Sequence, residues 1–174
     1  MEVREFLAEH DPVVGKAMGK DAAKNALMPA PQFQKDIAEG FAHVIVQSIL
    51  KEVHNNVFCL LVDESRDVSC KEQMVVALRY VDSSGDSKES FVGLVHVKET
   101  TSSYLKSSID SLFAKYKLSY NQVRGQGYDG ASNMRGEFNG LKSLIMRESS
   151  TAYYVHCFAH QLQLVVVAVV RKHK

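Results

Sequence analysis

The chain has 174 residues, 45% apolar and 24% charged, with 21 basic and 20 acidic side chains for a formal net charge of +1. This is the composition of an ordinary globular domain; it excludes disorder, collagen-like repeats and a disulfide scaffold, and the balanced charge means that a nucleic acid or membrane would have to meet a local patch. Three cysteines without a CxxC pair (Cys59, Cys70, Cys157), a longest apolar run of only Leu164 to Val170, and Glu2, Arg4 and Glu5 where a signal peptide would be apolar predict a soluble intracellular protein.

In chain order, a short helix is expected over Val3 to Glu9, then a looser segment from Asp11 broken by Pro12, Gly15, Gly19 and Pro29. Pro31 opens a helix whose Phe33, Ile37, Phe41, Val44, Ile45 and Ile49 recur at helical spacing. The period changes near residue 57. Val57 to Val62 is apolar at every position, which predicts a strand buried on both faces and ending at Asp63. Met74 to Val81 alternates, Asp82-Ser83-Ser84-Gly85-Asp86 supplies turn residues, and Phe91 to Val97 completes a hairpin. Ser102 or Ser103 is expected to cap a helix bearing Leu105, Ile109, Leu112, Phe113 and Tyr116. A short strand near Gln122 to Gln126 follows, then a helix with Phe138, Leu141, Leu144 and Ile145. A strand over Tyr153 to Phe158 and an apolar helix from Ala159 close the chain.

Three antiparallel strands followed by strand–helix crossovers predict an α/β fold with a mixed five-stranded sheet, order 3-2-1-4-5, flanked by helices. Residues 1–55 form a helical connector and 56–174 the core. In that order the first and fourth strands run side by side and parallel, which brings Asp63 and Asp129 to one edge.

Two familiar nucleotide motifs are excluded by context. Val62-Asp63-Glu64-Ser65 could close a phosphate-loop ATPase strand, but no GxxxxGK[ST] occurs, and Gly15 to Asp21 has the wrong spacing. Gly125-Gln126-Gly127-Tyr128-Asp129-Gly130 fits GxGxxG, yet Gly136 and Gly140 interrupt the helix that should follow, and Asp129 would repel a pyrophosphate. These glycines are expected to provide positive φ angles in a loop close to a ligand or another strand.

Paired carboxylates are a sharper feature. Asp63 and Asp129 on neighbouring strand ends could share hard cations such as Mg²⁺, or serve as ordinary turn and cap residues. Glu64 and Asp67 read as solvated turn residues. In His156-Cys157-Phe158-Ala159-His160, the cysteine and second histidine are three apart, an incomplete zinc set that equally suits a buried cysteine and a capping histidine. Arg124, Arg135, Lys142 and Arg147 are candidate phosphate contacts.

Four stretches carry a resemblance: Phe58-Cys-Leu-Leu-Val-Asp-Glu-Ser-Arg-Asp-Val-Ser, Glu72-Gln-Met-Val-Val-Ala-Leu-Arg-Tyr-Val, Gly125-Gln-Gly-Tyr-Asp-Gly-Ala-Ser-Asn-Met-Arg-Gly and Tyr154-Val-His-Cys-Phe-Ala-His-Gln-Leu-Gln-Leu. With the Phe6-Leu-Ala-Glu-His opening, the chain resembles the hAT transposase superfamily, and within it the plant proteins described as zinc finger MYM-type protein 1-like. The resemblance implies an RNase H-like fold that cuts and joins DNA with Mg²⁺ or Mn²⁺. Asp63 and Asp129 correspond to its first and second acids, as catalytic residues and metal ligands. Cys157 and His160 correspond to its CxxH element near DNA phosphates, with Arg135 as a further DNA contact, and a nuclear location is implied.

The superfamily carries its third acid on a helix beyond a large insertion after CxxH, and that residue has no counterpart before Lys174. The upstream zinc-finger domain and the carboxyl-terminal dimerisation segment also lack counterparts. The expectation is therefore a truncated, domesticated or degenerate transposase core, inactive alone and binding metal weakly. The alternative is a DNA- or protein-binding module that keeps the fold without catalysis, and a plainer one is a gene-fragment product. The closing helix, apolar on several faces, predicts self-association.

Overall fold

In the computed structural model, residues 3–18, 31–54, 56–66, 68–69 and 71–172 are described. Gly19, Pro29, Asp67, Cys70, His173 and Lys174 lie outside the described residues. The chain divides into two compact units, Met1–Ser48 and Ile49–Lys174.

The first unit opens with α1 (Val3–His10) and α2 (Pro12–Met18), so the first part of the expected loose segment is helical. The reason lies in its first residues. Asp11 Oδ1 accepts the amides of Val13 at 2.8 Å and Val14 at 3.2 Å, and Pro12 occupies the first helical position, where no N–H is needed. A Cβ on Gly15 would lie 2.7 Å from the Ala8 carbonyl oxygen, so glycine here lets α2 approach α1. The long helix α3 spans Pro31–Val53, as its periodicity predicts, although Phe33, Phe41, Val44 and Ile45 remain exposed.

The second unit is built on a five-stranded sheet in the order β3-β2-β1-β4-β5. Its strands are β1 (Phe58–Arg66), β2 (Glu72–Val81), β3 (Ser87–His96), β4 (Val123–Tyr128) and β5 (Tyr153–His156). β1 pairs antiparallel with β2, β2 pairs antiparallel with β3, and β1, β4 and β5 are mutually parallel neighbours. The helices are α4 (Ser102–Tyr116), α5 (Ser132–Arg135), α6 (Leu141–Glu148) and α7 (Phe158–Lys172). The fold is the expected mixed α/β sheet flanked by helices.

One face of the sheet carries the core. Phe58, Leu60, Val62, Met74, Val76, Leu78 and Val92 are buried there with Leu105, Ile109 and Phe113 of α4 and Leu141 and Ile145 of α6. The Phe58 and Phe113 rings meet edge to face at 6.0 Å. Lys106 is buried in this layer between Asp110, at 2.7 Å, and Glu148, with its ammonium over the Tyr120 ring. The opposite face, with Cys59, Leu61, Val75 and Ala77, is only half covered, so β1 is not the doubly buried strand that its apolar run predicts.

Local boundaries differ from expectation where distant partners decide them. β1 continues past Asp63 to Arg66 because β2 pairs with it as far as Arg66↔Glu72, reinforced by an ion pair between those two side chains. Thr101, not a serine, is the N-cap of α4, and Ser102 instead donates to the Asn133 carbonyl at 2.8 Å. Phe138 lies in the turn between α5 and α6 and is exposed. Tyr153–His156 forms β5, and α7 begins at Phe158.

Candidate functional site

The register of the parallel pair sets the geometry of the site. Leu61 is paired with Gly127, and two residues further along each strand stand Asp63 and Asp129. Both line a cleft of about 570 Å³ with Leu61, Val155, His156 and His160. Asp63 is exposed on β1, and Asp129 is half-buried just beyond β4.

Asp129 is held from three sides. Its Oδ1 accepts the Ala131 amide at 3.1 Å, its carbonyl accepts the Tyr154 hydroxyl at 2.7 Å, and its Oδ2 lies 4.0 Å from His160 Nε2. The turn that carries it is tight. A Cβ on Gly130 would fall 2.9 Å from His156 Cε1, so only glycine lets the imidazole ring pack there. His156 Nε2 is buried without a hydrogen-bond partner. Burial, followed by the charge of Asp129, raises the Tyr154 phenol above its ordinary value, and Arg135 acts in the opposite direction.

The glycines of β4 do not have the expected positive φ; among the described residues, Gly85 is the glycine that does. A Cβ on Gly125 would be 2.8 Å from Cys59 Sγ, and one on Gly127 would be 2.9 Å from Leu61 Cδ2. Close approach of the neighbouring strand's side chains, not backbone handedness, selects glycine at both positions.

Glu64 is not a solvated turn residue. It lies within β1, half-buried, where Oε2 accepts Asn133 Nδ2 at 3.2 Å and Oε1 is buried without a partner. Burial raises its carboxyl above the ordinary value of 4.5; the Asn133 hydrogen bond opposes this, and the charges of Asp129, Glu72 and Asp63 reinforce it. The folded state therefore holds this proton more tightly than the unfolded chain, so Glu64 costs stability as pH rises from the unfolded value through the folded one. Glu64→Gln is expected to be more stable than wild type near neutral pH and equal to it below about pH 4. Urea midpoints at the two pH values check this, and equal midpoints near neutrality would refute it. The sequence offered no sign of Glu64's environment, because Asn133 comes from another element.

Of the remaining named residues, Cys157 and His160 line this cleft, and Arg124, Arg135, Lys142 and Arg147 do not. Cys157 is half-buried with a free thiol, its amide donating to the Tyr128 carbonyl at 2.9 Å, and His160 stands in the first turn of α7. Arg135 is exposed at the end of α5. Arg124 donates to the Asn121 carbonyl at 2.7 Å and Arg147 to the Phe138 carbonyl at 2.7 Å, so both guanidinium groups already brace turns. Lys142 lies over the Tyr154 ring.

The chemistry of the donor set allows a divalent cation in one form. Two carboxylates can hold Mg²⁺ when water and substrate phosphate oxygens complete its shell. Among the described residues, no group of three His, Cys, Asp or Glu side chains is arranged to hold a metal. No helix among them is long and apolar enough to cross a membrane.

A five-stranded mixed sheet in the order β3-β2-β1-β4-β5, flanked by helices, is the plan of an RNase-like domain. The family described as DUF4371: ZMYM1/FAM200, RNase-like domain matches residues 1–140, and the chain belongs to it. It is also similar to the Homo sapiens "52 kDa repressor of the inhibitor of the protein kinase", 23% identical over 143 residues, 82% of this chain and 19% of that protein. The Mus musculus protein of the same name is 24% identical over 136 residues, 78% of this chain and 18% of its own length. The chain thus spans about a fifth of the length of these curated relatives.

Proposed function

We propose that this domain is a core of the hAT transposase type, nuclear, which engages DNA through a divalent cation held by Asp63 and Asp129. The reading rests on one observation: two carboxylates from parallel neighbouring strands line a single cleft with His156 and His160. Bound there, Mg²⁺ or Mn²⁺ would polarise a phosphodiester and acidify an attacking water. The chain's own groups do the rest. The hydrogen bonds from Ala131 and Tyr154 fix Asp129, and His160, whose Nε2 lies 4.0 Å from Asp129 Oδ2, would donate to a phosphate oxygen. Cys157 lines the same cleft, and the charge of Arg135 acts on Tyr154, whose hydroxyl holds the Asp129 carbonyl.

With two carboxylates the cation keeps most of its waters and is held weakly, so strand cutting by this chain alone is expected to be slow. That weak hold favours a second reading, a DNA- or protein-binding module that keeps the fold without catalysis.

The test is binding of a labelled DNA duplex, followed by fluorescence anisotropy with and without Mn²⁺. Wild type is expected to bind about tenfold more tightly with the metal, an ordinary coupling between two ligands. Asp63→Asn and Asp129→Asn should each abolish that gain and leave the salt-dependent part of binding. Binding that is indifferent to metal in wild type would remove the carboxylate-site reading and leave the binding module. No binding at all would sink both.

A further inference from the structure

A second cleft, of about 320 Å³, opens at the other end of the sheet, where β1 begins and β2 ends. Asn56, Val57, Arg79, Val81, Ser87 and Arg124 line it, and it shares only Cys59 and Arg79 with the carboxylate cleft. Among the described residues, none that lines it is acidic. Its charge is that of two guanidinium groups.

Strand pairing places the two arginines. Cys59 is paired with Arg79 on one side and with Gly125 on the other, so Arg79 and Arg124 flank β1. Two strand spacings of about 4.8 Å put their backbones about 10 Å apart. The pairing of β1 with β4 shifts between Phe58↔Val123 and Cys59↔Gly125, which leaves Arg124 as the extra residue of a bulge. Bulges re-aim side chains.

Both guanidinium groups are anchored by one edge and keep donors to spare. Arg124 Nη1 donates to the Asn121 carbonyl at 2.7 Å and to the Val123 carbonyl and Thr151 hydroxyl, each at 3.3 Å. Its Nε and Nη2 have no partner among the described residues. Arg79 Nε donates to Ser87 Oγ at 3.5 Å, which leaves both of its Nη groups. Among the described residues neither arginine has a carboxylate within 4.0 Å, although Glu89 stands opposite Arg79 on β3. The neighbouring Lys88, by contrast, is already held by Asp82 at 2.8 Å and Glu52 at 3.5 Å.

The geometry points to this cleft as a binding site for a terminal phosphate, that is, a phosphomonoester on a body with an apolar face. Such a group carries a charge of about −1.5 to −2 near neutral pH and three acceptor oxygens. Two guanidinium forks match it in charge and in bidentate geometry. A phosphodiester, with a single charge, would leave one fork unmatched. Ser87 Oγ accepts from Arg79 and can donate its own proton to a phosphate oxygen. The volume is that of the smaller ligand pockets, which begin at about 300 Å³, so the site has room for more than the phosphate. Val57 and Val81, 51% and 54% exposed, supply an apolar wall for the body.

The test is isothermal titration of the full chain with phenyl phosphate, without divalent metal, so that the carboxylate cleft and its cation play no part. A Kd on the order of 1 mM is expected for so small a ligand, and inorganic phosphate, which lacks the ring, should bind at least about threefold more weakly. Arg79→Gln and Arg124→Gln should each weaken phenyl phosphate at least about tenfold, the worth of one charge-assisted contact. Lys115→Gln on α4, an equal loss of charge elsewhere, should change nothing. Arg124 also braces a turn, so circular dichroism checks its variant, and Arg79→Gln decides by itself if that variant fails to fold. Competition then names the source of the phosphate. Displacement of phenyl phosphate by a short 5′-phosphorylated DNA strand, but not by its 5′-hydroxyl twin, would identify a nucleic-acid end, and displacement by neither a small phosphomonoester. No saturable binding up to about 10 mM, tenfold above the expected Kd, would overturn the proposal. So would equal weakening by Lys115→Gln, equal affinity for inorganic phosphate, or displacement by both strands alike.

Discussion

Gln126→Leu is expected to lower the free energy of unfolding by about 3 kcal/mol, the cost of stranding buried polar groups that each lose about 1–3 kcal/mol without a partner. Gln126 is 1% exposed and joins three parts of the core. Its Nε2 donates to the Ala152 carbonyl at 2.7 Å and the Lys142 carbonyl at 3.1 Å, and its Oε1 accepts the Tyr128 hydroxyl. Leucine has similar volume and fills the space, so the loss comes from the three orphaned groups and not from a cavity. Burial raises the Tyr128 phenol well above its ordinary value, so it remains a neutral donor across the usable pH range. Adding Tyr128→Phe removes one stranded group, and the double variant should recover about 1 kcal/mol relative to Gln126→Leu. Urea denaturation measures both. A loss below about 1 kcal/mol for the single variant would mean that these carbonyls find other donors.

Gly140→Ala should destabilise by about 3 kcal/mol, at the upper end of overpacking costs, because the obstructing atoms cannot rotate away. A Cβ there would lie 2.2 Å from the Gly136 nitrogen, 2.6 Å from its oxygen and 2.7 Å from its Cα. Relief requires opening the turn, which breaks the Gly140 amide to Gly136 carbonyl bond of 3.0 Å and disturbs Ser143 Oγ, donor to the Gly136 carbonyl at 2.9 Å. Gly40→Ala is the control. It lies inside α3 with nothing within 4 Å of a new Cβ, so alanine should be neutral or stabilising by up to about 1 kcal/mol. Thermal melts of the two variants distinguish them, and a Gly140→Ala protein melting with wild type would refute the argument.

What could be read from the sequence was what neighbouring residues decide. The alternation of Met74 to Val81 and the Asp82 to Asp86 turn fix a hairpin locally: Asp82 Oδ1 accepts the amides of Ser84 and Asp86, both at 2.9 Å, and Gly85 has φ of 88°. Pro31 and the spacing after it gave α3 in the same way. Boundaries set by remote partners were illegible. The polar Glu64-Ser65-Arg66 reads as a loop until β2 pairs with it, and Phe138 fits a helical period that the Gly136–Gly140 turn interrupts. At the cleft, the residue types of Asp63 and Asp129 suggested chemistry, whereas the supports Tyr154, Gly130 and His156 depend on β5 lying beside β4. The burial of Gln126 gave no signal at all, since its partners, the Ala152 and Lys142 carbonyls, come from distant parts of the chain.

The adjacency of β1 and β4 also has a bearing on how the chain acquires its structure. Hairpin β2–β3 closes through five residues, and β1 can join it as soon as β2 is made. β4 begins at Val123, more than fifty residues after β1 ends. Closing so large a loop carries more entropy loss than zipping a hairpin, and contacts of this sequence separation form slowly. Until β4 emerges during synthesis, one edge of β1 is bare, and an unpaired strand edge beside Cys59 and Leu61 is a template for another chain. The central position that later joins the two carboxylates is thus, in the nascent polypeptide, the place most in need of a chaperone.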